Sequence, residues 1–323
     1  LRVLIGKFRE NLMLKIAVLV VLGTSFQSFA KEVIIYGVDN RVDINEVTDQ
    51  KIVEISKSVA AQVDKYSYNK RFFNKTNYIA FNNYARLKDP MGAEVCSDER
   101  FANQPVLSNC SGFLIAPNLL ATAGHCLLND DGVATNTMNY NCERNDWLFN
   151  YENRLEDGFE PKKVLEKDLY KCKKIIVAKL TDEDDFAIVE LDREVVDRKP
   201  LKIRSFGKIK KGTSLYVIGH PSGLPKKVAA GSKVLKSRKP KYFSASLDTF
   251  GGNSGSPVFN AVTHEVEGIL VRGKQDYVWD SFKERNCKRV NICNDAGKKC
   301  IENEDDLKGE EVTRITEILS FLK

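Results

Sequence analysis

The sequence predicts an all-β chain in two halves, and three observations carry that prediction. Beyond residue 210 the apolar residues fall into short runs at even intervals: Ser214–Gly219, Lys227–Leu235, Tyr242–Leu247, Ser256–Asn260 and Val266–Arg272. Gly and Pro turns separate these runs, the pattern of a closed antiparallel barrel. Earlier in the chain Val59–Val63 reads as the first barrel strand, with further strands at Trp147–Tyr151, Lys162–Leu165 and Cys172–Leu180. Val195–Lys210, which contains Pro200, reads as the crossover between the halves.

The other elements follow in chain order. Met13–Ala30 carries Lys15 near its start, the apolar run Ile16–Leu22, and a small-x-small ending at Ser28-Phe29-Ala30. It is expected to be a secretory signal cut after Ala30, with Met13 as the translation start. The apolar run is too short to span a bilayer, so no stable membrane association is expected. Residues 1–30 are then upstream residues and signal, and the mature protein is secreted or periplasmic. Residues 31–57 are an N-terminal arm or a propeptide. They open with VIIYGVDN and continue with Val47, Ile52, Val53 and Ile55 at helical spacing. Residues 58–323 form the main domain, barrel one at about 58–195 and barrel two at about 196–323. Tyr66–Gln104, polar and aromatic with few strand signals, is expected to be a long surface excursion secured by Cys96. Asn129-Asp130-Asp131-Gly132 is a turn cluster. Glu311–Leu322 places Val312, Ile315, Ile318, Leu319 and Leu322 on one face of an amphipathic α-helix.

All eight cysteines lie beyond the signal, and an even number in an exported chain points to disulfides. No C-x-x-C pair or nearby histidine pair occurs, which excludes a zinc site of ordinary spacing. Cys142–Cys172 and a pairing among Cys287, Cys293 and Cys300 are expected, leaving Cys96 to find a partner. The formal charge of +6 falls to about +3 once residues 1–30 are removed, too little to argue for nucleic acid. The local run Lys233–Lys241 (KVLKSRKPK) is expected to be a solvated strand and loop rather than an anion-binding exosite.

The chemistry gathers at Gly251–Pro257, GGNSGSP. Glycines let a backbone fold sharply enough to aim two N–H groups at one point. Here Gly252 and Ser254 would supply those donors to an oxyanion, with Ser254 Oγ beside them as nucleophile. A base must lie nearby, and of three histidines His125 sits in CSGFLIAPNLLATAGHC between Cys110 and Cys126. His220 in GHPSG and His264 in NAVTHEV lie on turns without such context. An acid opens the apolar strand DFAIVEL, with Asp185 flanked by its competitors Asp182 and Asp184.

The order His125, Asp185, Ser254, the ATAGHC ending and the glycine loop together resemble the trypsin-like (chymotrypsin-fold) serine peptidases. GNSGSPVF is more similar to their bacterial secreted branch, which includes staphylococcal glutamyl endopeptidase. The resemblance covers about Ser58 to the C-terminus. It implies two antiparallel six-stranded β-barrels with the site in the cleft between them and a closing C-terminal helix. It also implies a Cys110–Cys126 disulfide, and Asp185 as the acid because DFAIVEL matches the family's acid strand. The implied activity is hydrolysis of protein or peptide substrates by a monomer, with no metal or organic cofactor.

For specificity the resemblance points two ways. A carboxylate six residues before the nucleophile reads Lys or Arg in the trypsin branch, and Asp248, next to Thr249, holds that place. Leu270 stands where the glutamyl branch has a histidine, and Arg272 is the residue that could neutralise Asp248 or favour an acidic side chain. Phe250 replaces a disulfide cysteine of the trypsin branch. Asn253 replaces the aspartate that pairs with a new N-terminus in the animal enzymes, so that activation switch is not expected. The alternatives are a catalytically silent binding protein on the same scaffold, or a peptidase of glutamyl or apolar specificity.

Overall fold

A computed structural model describes residues 36–73, 76–81, 87, 93–128, 142–153, 163–273, 276–280, 286–294 and 309–322. The segment expected to be a signal sequence, the expected Asn129–Gly132 turn and Cys300 lie outside the described residues. The first half runs β1 (Arg41–Asp43), a short helix α1 (Gln50–Ser56), β2 (Val59–Asp64), β3 (Tyr68–Phe73), β4 (Thr76–Phe81) and β5 (Ser108–Ala116). It continues with β6 (Leu119–Thr122), β7 (Asn145–Phe149), β8 (Lys163–Leu165), β9 (Leu169–Leu180) and β10 (Asp185–Leu191). The second half holds β11 (Ser214–Gly219), β12 (Lys227–Lys236), β13 (Tyr242–Ala245), β14 (Pro257–Asn260) and β15 (Val266–Arg272). The hairpin β16 (Tyr277–Trp279) and β17 (Lys288–Val290) and the last strand β18 (Glu310–Arg314) complete it.

Two closed six-stranded antiparallel barrels result. Barrel one closes in the order β10-β6-β5-β2-β7-β9. In barrel two the order is β12-β11-β14-β15-β18-β13, and a β12–β13 pairing closes it, with β1 added on the outside of β12. Strand β10 shows why the sequence folds this way. Ala187, Val189 and Leu191 point into barrel one beside Leu114, Leu120 and Trp147. Phe186 and Ile188 point the other way, into the layer between the barrels with Tyr216, Phe259 and Ile269. Side chains alternate along a strand, and both faces are covered, so Phe186–Val189 is apolar without a break. Leu215, Val217, Val258, Leu270 and Val312 fill barrel two.

The elements outside the barrels differ from expectation in two places. Tyr66–Gln104 is not bare loop: β3 and β4 form a hairpin that pairs with β8. The C-terminal segment is not an α-helix from Glu311. Glu310–Arg314 is a barrel strand held by β13 and β15 on its two sides, and the helix that follows, Ile315–Phe321, is of the 3-10 type. The apolar spacing Ile315, Ile318, Phe321 is every third residue, which lines up on one face of a 3-10 helix. Val312 belongs to the strand because closing barrel two needs its backbone hydrogen bonds more than a helical turn does.

Three disulfides join described cysteines: Cys110–Cys126, Cys142–Cys172 and Cys96–Cys287. The first two match expectation, and Cys96 finds its partner in Cys287. Cys293 is disulfide-bonded as well. Among the described residues no helix is long and apolar enough to cross a membrane.

Candidate active site

Two loops from different barrels meet here. The first follows β6, where a single 3-10 turn, Gly124–Cys126, carries His125. Cys126 is tied to Cys110 on β5, so the turn cannot swing away from its hairpin. Asp185, the first residue of β10 and only 2% exposed, holds the turn from below. Its Oδ1 accepts the Gly124 N–H (2.7 Å) and the His125 N–H (3.2 Å), and its Oδ2 lies 2.9 Å from His125 Nδ1. Thr313 Oγ1, from barrel two, donates to the Asp185 carbonyl at 2.9 Å. The carboxylate therefore fixes both the position of the imidazole and the tautomer with a proton on Nδ1. Of the competitors, Asp184 pairs with Lys241 (2.6 Å), and Asp182 is exposed on the turn before β10, its backbone carbonyl accepting from Arg272 Nη1 (3.1 Å).

The second loop links β13 to β14 and carries Ser254. Two of its glycines have left-handed backbones, Gly252 at φ 89° and Gly255 at φ 86°. A Cβ on Gly255 would also stand 2.1 Å from the Ser111 carbonyl oxygen, so only glycine fits. The loop is pinned by N–H bonds from Asn253 to the Phe250 carbonyl (2.9 Å), Ser256 to Asn253 (2.8 Å) and Gly255 to Leu270 (2.7 Å). Barrel one grips it too. Ser111 N–H donates to the Ser254 carbonyl (2.8 Å), Ser111 Oγ donates to the Gly252 carbonyl (2.9 Å), and Cys126 Sγ sits 3.7 Å from Ser254 O.

Two N–H groups of the loop stand out. Those of Gly252 and Ser254 donate to no described residue, while their neighbours are all engaged. Preorganised donors with no internal acceptor are what an oxyanion requires. Ser254 Oγ makes no hydrogen bond to His125 Nε2 here; such bonds are often loose without substrate and tighten in the Michaelis complex. The buried Asn253 takes a hydrogen bond from Ser256 Oγ (3.3 Å).

The residues expected to read the substrate are placed less uniformly. Asp248 is buried, but its carboxylate faces the N-terminal arm: Tyr36 N–H donates to Oδ1 (3.0 Å) and Asn40 N–H to Oδ2 (3.4 Å). Burial pushes its pKa up to about 7, against the pull of those two N–H groups. Arg272 does not reach Asp248. It pairs with Glu311 (3.1 Å) and donates to the Thr181 carbonyl (2.7 Å), spanning from β15 to the acid loop. A cavity of about 120 Å³ adjoins the Ser254 loop, lined by Thr249, Phe250, Gly251, Leu270, Gly273, Asp276 and Glu310. Asp248 is not among them. Thr249 Oγ1 donates to Glu310 Oε2 at 3.3 Å, and Asp276 Oδ2 accepts the Gly251 N–H at 2.6 Å. Burial pushes Asp276 up to about 7 as well.

Glu310 and Asp276 are the functional candidates that sequence reasoning missed. Glu310 opens β18, Glu310-Glu311-Val312-Thr313-Arg314, whose sequence has no alternation that would mark it as a strand. The other two histidines are structural. His220 is fully buried, its Nδ1 3.0 Å from the Leu224 carbonyl, and burial lowers its pKa to about 3, so the ring is neutral. His264 meets the Tyr216 hydroxyl at 2.9 Å.

Two barrels, with a histidine–aspartate pair on one and a glycine-framed serine loop on the other, define a chymotrypsin-fold serine peptidase scaffold. The chain carries a trypsin-like peptidase domain: residues 110–269 match the family model described as "Trypsin-like peptidase domain". The match begins at the cysteine of β5 and takes in His125, Asp185 and Ser254. Among solved structures, a Glu endopeptidase in complex with MPD is 14% identical, covering 89% of this chain and 97% of that one, with a TM-score of 0.46. The Vibrio cholerae VesB protease is 13% identical, covering 88% of this chain and 66% of that one, with a TM-score of 0.45. No curated protein matches the sequence.

Proposed function

We propose that the protein is a secreted serine endopeptidase in which His125, Asp185 and Ser254 form the catalytic triad. The observation that carries this reading is the Asp185 carboxylate, which grips His125 at Nδ1 and at its own backbone N–H while the facing loop keeps two N–H groups unengaged. Neutral His125 takes the Ser254 proton at Nε2 as Oγ attacks the scissile carbonyl. The charge that forms on the carbonyl oxygen is received by the N–H groups of Gly252 and Ser254. Asp185 stabilises the imidazolium, which then protonates the leaving amine. Water, deprotonated by His125, attacks the acyl-enzyme, and Ser254 leaves with its proton restored. Export is supported by the disulfides and by the expected signal sequence ahead of residue 31.

Cleavage after Lys or Arg remains the proposed specificity, with a different reader. Glu310 and Asp276 line the cavity beside Gly251, whereas Asp248 faces the arm. A carboxylate in such a cavity favours a cationic side chain and rejects an anionic one.

Two variants test the proposal. Ser254→Ala should abolish amide hydrolysis and labelling by a fluorophosphonate while the thermal transition stays in place. Turnover retained by that variant ends the triad assignment, and failure of the wild type to label would favour a silent binding protein. Glu310→Gln should keep fluorophosphonate labelling yet lower kcat/KM on Lys and Arg peptides by about 100-fold. A cleavage profile that prefers glutamate or apolar residues in the wild type removes Glu310 as reader.

A further inference from the structure

Barrel two carries a second concavity, about 810 Å³ in volume, that shares no lining residue with the cavity beside Gly251. Its rim comes from two short stretches brought together by the barrel. Lys208, Lys210 and Lys211 precede β11, and Lys236, Arg238 and Lys239 follow from the end of β12. All six are exposed, and none forms an ion pair with a described residue. The single acid of the groove, Glu311, is already paired with Arg272. The floor is apolar, made by Ile209, Leu235, Tyr242 and Phe243.

This rim is fixed rather than loosely solvated. Arg314, 3% exposed, donates through Nη2 to the carbonyls of Ser237 (3.2 Å) and Lys239 (3.1 Å). Ser237 Oγ donates back to the Ile209 carbonyl, locking one stretch to the other. Six like charges held around one hollow repel each other and concentrate anions there. A hydrophilic polyanion would leave the apolar floor wet, and a lipid surface is too flat to enter the hollow. A peptide that alternates acidic and apolar side chains satisfies rim and floor together.

We propose that this groove is a docking site for an acidic stretch of another protein that also carries apolar side chains. Two ion pairs connect the edge of the groove with the neighbourhood of the candidate site. Glu311 at the groove's edge binds Arg272, which precedes Gly273 of the smaller cavity, and Lys241 just past the rim binds Asp184 beside Asp185. A protein seated here has the rest of its chain held near the cleft. Docking itself does not depend on catalysis.

The test uses Ser254→Ala protein and a fluorescein-labelled synthetic peptide alternating Glu and Leu, with binding read by fluorescence anisotropy. The peptide should bind at low salt and weaken in about 0.5 M salt. Lys236→Glu/Arg238→Glu/Lys239→Glu should raise its Kd by about tenfold or more. Lys208→Ser/Lys210→Ser/Lys211→Ser on the opposite rim should weaken it independently, and each variant should keep the wild-type thermal transition. Replacing every Leu of the peptide with Ser should cost about tenfold through the lost floor contacts. Equal affinity of the Glu–Leu peptide for wild-type and rim variants overturns the proposal. So does rim-dependent binding of a sulfated oligosaccharide or an anionic phospholipid vesicle in the absence of peptide binding.

Discussion

Asp276 shows what one buried side chain does to this molecule. It is 8% exposed and gives its Oδ2 to the Gly251 N–H, one residue ahead of the expected oxyanion donor Gly252. Burial raises its pKa from an unfolded value near 3.9 to about 7, although the Gly251 N–H and the Arg41 charge pull it down. A carboxyl whose folded pKa is raised stabilises the fold below the unfolded value, and that contribution is lost as pH climbs through the folded value. The affected window is therefore about pH 4 to about pH 7. Asp276→Asn keeps an acceptor for Gly251 without the charge. Its melting temperature should match the wild type near pH 4, rise above it as pH increases, and hold a constant lead above about pH 7. Thermal scans across that range check this, and a difference independent of pH would mean that Asp276 does not titrate in the window.

Among the elements, the N-terminal arm has more to do than its sequence announces. Strand β1 extends barrel two along β12, and four side-chain ties anchor it. Asp248 accepts from Tyr36 and Asn40, Arg41 lies 4.1 Å over the Phe250 ring, Arg100 pairs with Asp39 (3.0 Å), and Asp43 pairs with the buried Lys227. Two of these ties land on residues 248 and 250, at the root of the Ser254 loop. Lys227 has its pKa pushed down to about 8 by burial, so Asp43 is the partner that keeps its charge tolerable. Asp43→Ala should cost about 3–5 kcal/mol, because it strands a buried ammonium. It should also lower activity by loosening the loop root. Urea unfolding alongside amide hydrolysis measures both, and unchanged values in the variant would make the arm dispensable.

The arm also marks where the sequence stopped being legible. The Ser254 loop and the His125 turn rest on local patterns, glycines for a sharp turn and a cysteine beside the histidine, whereas Asp185 was singled out from Asp182 and Asp184 by the family resemblance of DFAIVEL. Five of the six strands of barrel two were equally plain as short runs bounded by turns; β18 was not. What escaped depends on contacts distant in sequence. Asp248 lies six residues before Ser254, yet a segment more than 200 residues upstream decides which way its carboxylate points. Glu310 was hidden because Val312, Ile315, Ile318 and Leu322 fit a helical spacing, and only the neighbours β13 and β15 make the first of them a strand.

At the scale of the whole molecule, the barrels are joined by a shared apolar layer and the candidate catalytic groups are split between them, so chain cross-links should act unequally on stability and on chemistry. Cys110–Cys126 closes 16 residues and Cys96–Cys287 closes 191. Loop-closure entropy alone assigns about 3 kcal/mol to the first and about 5 kcal/mol to the second. Their positions invert that ranking for activity. Cys126 is the residue next to His125, and its sulfur touches the Ser254 carbonyl, whereas Cys96 and Cys287 tie the surface excursion to the β16–β17 hairpin. Paired alanine replacements should separate the two effects. Cys96→Ala/Cys287→Ala should lose more unfolding free energy, and Cys110→Ala/Cys126→Ala should lose more kcat on a small amide substrate. Chemical unfolding and steady-state hydrolysis on the same two variants decide it. The reverse order in kcat would mean that Asp185 alone is enough to hold the His125 turn.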